Sequence, residues 1–128
     1  MSDDAVTLSK ADGIATITLN RPAKYNTLMP EVLQGLDVHL RDANLDEDVK
    51  VIVLEGAGDS FCGGFDFSNG LEHYGNIQEK DYDPGLDVIS VTGQHTSYLQ
   101  TFMALWRGSK PTIAKVHGYC VGGGSEMA

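Results

Sequence analysis

Basic residues are scarce in this chain of 128 residues: 9 Lys and Arg stand against 18 Asp and Glu, a formal charge of −9. Such a balance repels nucleic-acid phosphates and anionic membrane surfaces at long range, so neither nucleic acid nor membrane is an expected partner. Cysteine is scarcer still. Cys62 and Cys120 form no Cys-x-x-Cys spacing, which removes the usual zinc-ribbon and redox-pair signals, and both thiols are expected to be reduced and buried. No apolar run approaches bilayer length, and the acidic start Met1–Ala5 lacks the basic-then-apolar pattern of a leader. The cytoplasm is the expected compartment. Low-complexity tracts are also missing, and a 41% hydrophobic, 21% charged composition is that of one globular domain.

The motifs of several common chemistries are absent too. Gly122-Gly123-Gly124 does not continue as G-x-G-x-x-G, because Met127 stands where the third glycine belongs, and no G-x-x-x-x-G-K-[ST] occurs. Neither Ser60 nor Ser125 lies in a G-x-S-x-G elbow. His39, His73, His95 and His117 show no metal-ligand spacing, and His117 is expected to be a buried, hydrogen-bonded residue. Cys62 has no base beside it and is read as packing.

What is present is an alternation of strands, turns and helices. Val6–Lys10 and Ile14–Leu19 read as strands joined by Asp12-Gly13, a dipeptide that tolerates positive φ. From Pro30 the apolar residues Leu33, Leu36, Leu40 and Ala43 recur at helical spacing, predicting a helix that ends near Asn44, with Met29 at the cap position in place of Ser or Thr. Val51–Leu54 reads as a strand covered on both faces, and residues 68–88 as a long loop of the kind that shapes binding sites. Leu99, Phe102, Met103 and Trp106 fall at i, i+3, i+4 and i+7, predicting the packed stripe of a second helix, and Thr112–Val116 a further strand. The crossover rule then puts the two turns that follow the strands at the same ends of parallel neighbours.

Those turns, Phe61–Phe67 and Gly118–Met127, carry the chemistry. Glycines after a strand let the backbone turn and aim N–H groups outward, and the second turn reads as the entry to a helix whose first N–H groups lack partners. Either turn alone is as consistent with a structural bend as with a site. Two converging donors, however, suit a thioester carbonyl that gains charge as an enolate forms, and Glu126 lies close enough to move a proton or orient water beside it.

Three stretches in register resemble the crotonase (enoyl-CoA hydratase/isomerase) superfamily: Asn20–Leu28, Val53–Gly58 leading to Phe61–Asp66, and Lys110–Tyr119 leading to Gly122–Ala128. The resemblance implies an α/β crotonase-like spiral of ββα units, with residues 1–128 forming one domain that corresponds to the N-terminal part and is incomplete at its C-terminal end. It implies that the backbone N–H groups of Phe65 and Gly123 form an oxyanion hole, and that Ala23, Tyr25, Gly63, Gly64, Phe65, Asp66, Phe67, Tyr119 and Gly123 surround an acyl-CoA thioester. Glu126 falls on the first catalytic glutamate of the hydratases. It further implies no cofactor beyond the coenzyme A carried by the substrate, a homotrimer or dimer of trimers at full length, and a second acid beyond Ala128. Without that acid, these 128 residues by themselves are expected to be inactive.

Overall fold

The structure is a computed structural model, and it describes residues 4–68, 83–85, 88–89 and 98–128. Most of the predicted loop 68–88 therefore lies outside the described residues. Four strands form one sheet in the order β1 (Val6–Ala11), β2 (Ile14–Leu19), β3 (Val51–Gly56) and β4 (Thr112–Lys115). Strands β1 and β2 are an antiparallel hairpin, with Asp12 (φ 52) and Gly13 (φ 80) both in the left-handed region that a two-residue turn requires. Strands β2, β3 and β4 run parallel, with Ile17 opposite Leu54 and Leu54 opposite Ala114. The crossover from β2 to β3 is helix α1 (Pro30–Leu45), and that from β3 to β4 contains helix α2 (Tyr98–Arg107).

Helix α1 forms where its pattern predicts. Met29 is its N-cap, in extended backbone (φ −146) and without a side-chain cap bond, and the helix is closed instead from its far end. There the Lys110 ammonium donates to the Ala43 carbonyl at 2.8 Å and to that of Asp46, while the Ser109 N–H donates to Asn44 Oδ1 at 2.8 Å. The residues just before β4 thus satisfy the orphan carbonyls of α1, fixing where β4 starts. On the other side Lys10 bonds Asp46 at 2.7 Å and Asp42 at 2.9 Å, latching the hairpin to the helix.

Beneath α1 lies the core, in which Ile17, Leu36, Ile52, Leu54 and Phe61 are fully shielded from solvent. Two expectations about it are corrected. Strand β3 is covered on one face: Ile52, Leu54 and Gly56 are buried while Val51, Val53 and Glu55 are half-buried, because among the described residues α1 and α2 pack together on a single side. Helix α2 buries a stripe turned by one residue from the predicted one. Tyr98, Thr101, Phe102 and Leu105 face the core at i, i+3, i+4 and i+7, leaving Trp106 80% exposed. A hydrophobic stripe four residues long has an equally spaced neighbour, and here the buried Thr101 shows that packing against α1 chose between them. Strand β4 also stops at Lys115, one residue short of the expected Val116, which is exposed.

Replacing Leu36 by Ala should remove about 2–5 kcal/mol of stability through the cavity left between α1 and the sheet, measured by chemical denaturation; a cost near zero would contradict this placement of the core.

Candidate active site

Parallel pairing does not stop where β3 and β4 end. Past the strands, the Phe61 N–H donates to the His117 carbonyl at 2.7 Å, that of Cys62 to Tyr119 at 2.9 Å, and that of Val121 back to the Cys62 carbonyl at 3.0 Å. Cys62 and Cys120 thereby become opposite residues of an isolated parallel bridge. Both are free thiols; Cys62 is buried and Cys120, contrary to expectation, only half so. Burial pushes the Cys62 thiol above its usual pKa, which fits a packing role.

A second zipper lies on the other flank of the first turn. The Gly63 N–H donates to the Tyr25 carbonyl at 2.8 Å, the Leu28 N–H to Gly64 at 2.7 Å, and the Asp66 N–H to Leu28 at 2.7 Å. In this Leu28–Phe65 bridge the partners are the Gly64 carbonyl and the Asp66 N–H, so the Phe65 N–H takes no part in it. Gly64 must be glycine: its φ is +91, and a Cβ would stand 2.9 Å from the Val121 oxygen.

The second turn enters a short helix, α3 (Gly123–Met127), from Gly122 at φ 51. Gly123 is buried against the first turn, where an added Cβ would lie 2.8 Å from both the Phe65 ring and Leu28 Cδ1. At Gly124 it would meet the Cys62 carbonyl at 2.6 Å. The N–H groups of Gly124, Ser125 and Glu126 turn back to the Val121 and Gly122 carbonyls, whereas among the described residues none accepts from the Gly123 N–H. Gly123 and Phe65 are thus brought side by side from opposite turns.

The remaining predicted site residues spread around this point. Phe65 is half-buried, 5.1 Å from the Tyr98 ring and 6.5 Å from that of Phe67, which is itself exposed. Tyr25, in left-handed backbone (φ 52), meets Tyr119 edge to face at 5.5 Å, and both rings and the neighbouring Ala23 are exposed. Glu126 is exposed on α3 and lines a cavity of about 620 Å³ together with Leu54, Phe102, Leu105, Trp106 and Met127. His117 is exposed rather than buried, its Nε2 2.8 Å from the Gly58 carbonyl. His73 and His95 lie outside the described residues. Among the described residues no helix is long and apolar enough to cross a membrane, and no three His, Cys, Asp or Glu groups converge as metal ligands.

Asp66 has a more definite environment than its sequence suggests. Its carboxylate accepts from the Ser68 hydroxyl at 2.5 Å and from the Ser68 N–H at 3.0 Å, and from Arg21 at 3.1 Å and Thr27 at 3.2 Å. These donors, Ser68 foremost, hold its pKa well below the usual carboxylate range. Arg21 also donates to the Thr27 carbonyl at 2.6 Å, so one guanidinium braces the loop that carries Asp66. Sequence reasoning overlooked Arg21, Thr27 and Ser68. Arg21 and Thr27 stood only as members of the stretch Asn20–Leu28, and nothing in the sequence pairs them or Ser68 with Asp66.

Residues 9–128 match the enoyl-CoA hydratase/isomerase family. Solved structures with the same architecture include an enoyl-CoA hydratase from Mycobacterium smegmatis, at 32% identity and a TM-score of 0.81, covering 97% of this chain and 43% of that one. By sequence the chain is 35% identical over 125 residues to an (E)-benzylidenesuccinyl-CoA hydratase of Thauera aromatica, covering 96% of this chain and 43% of that protein. It is also 31% identical over 111 residues to a peroxisomal Delta(3,5)-Delta(2,4)-dienoyl-CoA isomerase of Arabidopsis thaliana, covering 87% of this chain and 40% of that protein. The fold is thus that of the crotonase-type enoyl-CoA hydratase/isomerase structures, of which the chain covers only part. The chain belongs to the enoyl-CoA hydratase/isomerase family, and it spans under half the length of these relatives.

Because the folded-state pKa of Asp66 is depressed, its contribution to stability is fully present above the unfolded aspartate value of about 3.9 and fades as pH falls through the folded value. Asp66→Asn should therefore lower Tm at pH 7, with the gap to the parent chain closing below about pH 4. Parallel melting curves at every pH would contradict this.

Proposed function

We propose that the protein is an enoyl-CoA hydratase that adds water across the double bond of a 2-enoyl-CoA. The observation that carries this reading is the contact of Gly123 with Phe65 between two zipped turns, with Glu126 three residues further along the same short helix. In this reading the Phe65 and Gly123 N–H groups donate to the thioester oxygen. Glu126 takes a proton from water as the water oxygen bonds to C3, the C2=C3 electron pair moves toward the carbonyl, and the enolate charge falls on the oxygen between the donors. Proton delivery to C2 then restores the thioester. A pair of fixed backbone donors suits this step because they gain most when the oxygen carries most charge, and each is worth about 3–4 kcal/mol of barrier.

Tyr25, Tyr119 and Ala23, on the exposed flank of the first turn, are proposed to meet the coenzyme A portion, with Gly63, Gly64, Asp66 and Phe67 framing the acyl end. No cofactor beyond the substrate's own coenzyme A enters the mechanism. A trimer or dimer of trimers is the proposed particle at the length of the relatives, where a second acid would complete the hydration apparatus. For that reason these 128 residues alone are expected to turn over no substrate. A second reading, double-bond isomerisation on the same enolate, draws support from the relative named as a dienoyl-CoA isomerase. Glu126 favours hydration, since it offers a base for water.

In the protein at the length of its relatives, Glu126→Gln should lower the hydration rate about 10²–10⁴-fold while leaving thioester binding in place. An unchanged rate would remove Glu126 from the mechanism, and conversion of a 3-enoyl to a 2-enoyl thioester without hydration would favour the isomerase.

A further inference from the structure

Asn26 is a polar side chain only 1% exposed, held in left-handed backbone at φ 55. Its Nδ2 donates to the Ala57 carbonyl at 2.8 Å and to the Ser60 carbonyl at 2.7 Å, and its Oδ1 accepts from the Arg21 N–H at 2.8 Å. Its own carbonyl accepts from the Cys62 thiol at 3.2 Å. All these partners lie either in the loop after β2 or in residues 57–62, between the end of β3 and the glycines of the first turn. On its outer side the same loop binds Gly63, Gly64 and Asp66 through backbone bonds. Asn26 is therefore the inner anchor of a clamp whose outer jaw holds the residues flanking Phe65.

We infer that Asn26 is a positioning residue: by tying the Ala57 and Ser60 carbonyls to the loop after β2, it sets the direction of the Phe65 N–H and so the polarisation of the substrate carbonyl. This rests on the hydratase reading above. Buried beneath the turn, Asn26 touches no substrate, so its effect has to pass through the backbone it holds. Asparagine suits the position for two reasons. Its amide supplies two donors and one acceptor at once, and among side chains other than glycine it is one of the few that tolerate left-handed backbone. An aspartate of the same shape would set one carboxylate oxygen against both carbonyls in place of the donating Nδ2, while glycine would keep the backbone angle and surrender all three bonds.

The test is the Raman spectrum of a bound 2-enoyl-CoA, whose C=O stretch falls in frequency when donors polarise it, recorded beside kcat and KM in the protein at the length of its relatives. In Asn26→Gly and Asn26→Asp the C=O shift should shrink and kcat fall about 10–100-fold, with KM changed by less than about threefold. Asn26→Asp should recover partly at lower pH, because a protonated carboxyl regains one donor. A full C=O shift in both variants would overturn the inference while leaving the hydratase reading intact. Absence of any shift in the unsubstituted protein would overturn both. Asn26→Gly relieves the backbone strain and so guards against a variant lost to misfolding; loss of the fold in both variants would assign Asn26 to stability alone and count against positioning.

Discussion

Parallel pairing of β3 with β4 continues past both strands through the Cys62–Cys120 bridge. Three backbone hydrogen bonds, made by Phe61, Cys62 and Val121, carry the parallel register past the strands and into both glycine turns. Individually such bonds contribute only about 0.5–1.5 kcal/mol net. Their importance is geometric, because two turns paired in register cannot slide relative to each other. Every later feature assumes that register: Gly64 passing under Val121, Gly124 seated on Cys62, and Gly123 resting on the Phe65 ring.

The cost of such close backbone approach is that side chains must be removed from the contact. That leaves the turns short of apolar burial of their own, and the surrounding structure supplies it. Phe61 and Cys62 are fully buried on the core side, Leu28 closes the underside, and Phe65 joins a ring cluster with Tyr98 and Phe102 from α2. Polar ties complete the frame, with Asn26 holding the inner loop and the Arg21–Asp66 pair the outer one. The site is built on rigid sheet ends and braced from the loop after β2, an arrangement suited to donors that must not reorganise as charge develops.

Much of this was legible in the residues. The strand and helix order followed from periodicity and from the Asp12-Gly13, Pro30 and Pro111 punctuation, and helix α1 ends at Leu45, near Asn44 as expected. That the two turns would meet followed from the handedness of the crossovers. What periodicity could not supply was rotation and contact. The face of α2 depended on packing against α1, so Trp106 read as core yet stands in solvent. The one-sided cover of β3 depended on both helices choosing the same side. Asn26 and Arg21 were visible as letters of a motif, but their partners lie 31–45 residues away, and only the folded chain brings a loop amide to the Ala57 and Ser60 carbonyls and a guanidinium to Asp66.

In the proposed mechanism two backbone amides from separate turns act on one oxygen. The amide proton shifts of Phe65 and Gly123 test it most directly, followed by NMR as an enolate-mimicking coenzyme A thioester is added to the protein at the length of its relatives. Both amides should move far downfield together, at the same ligand occupancy. A shift at only one of them, or at neither while the ligand is bound, would contradict it.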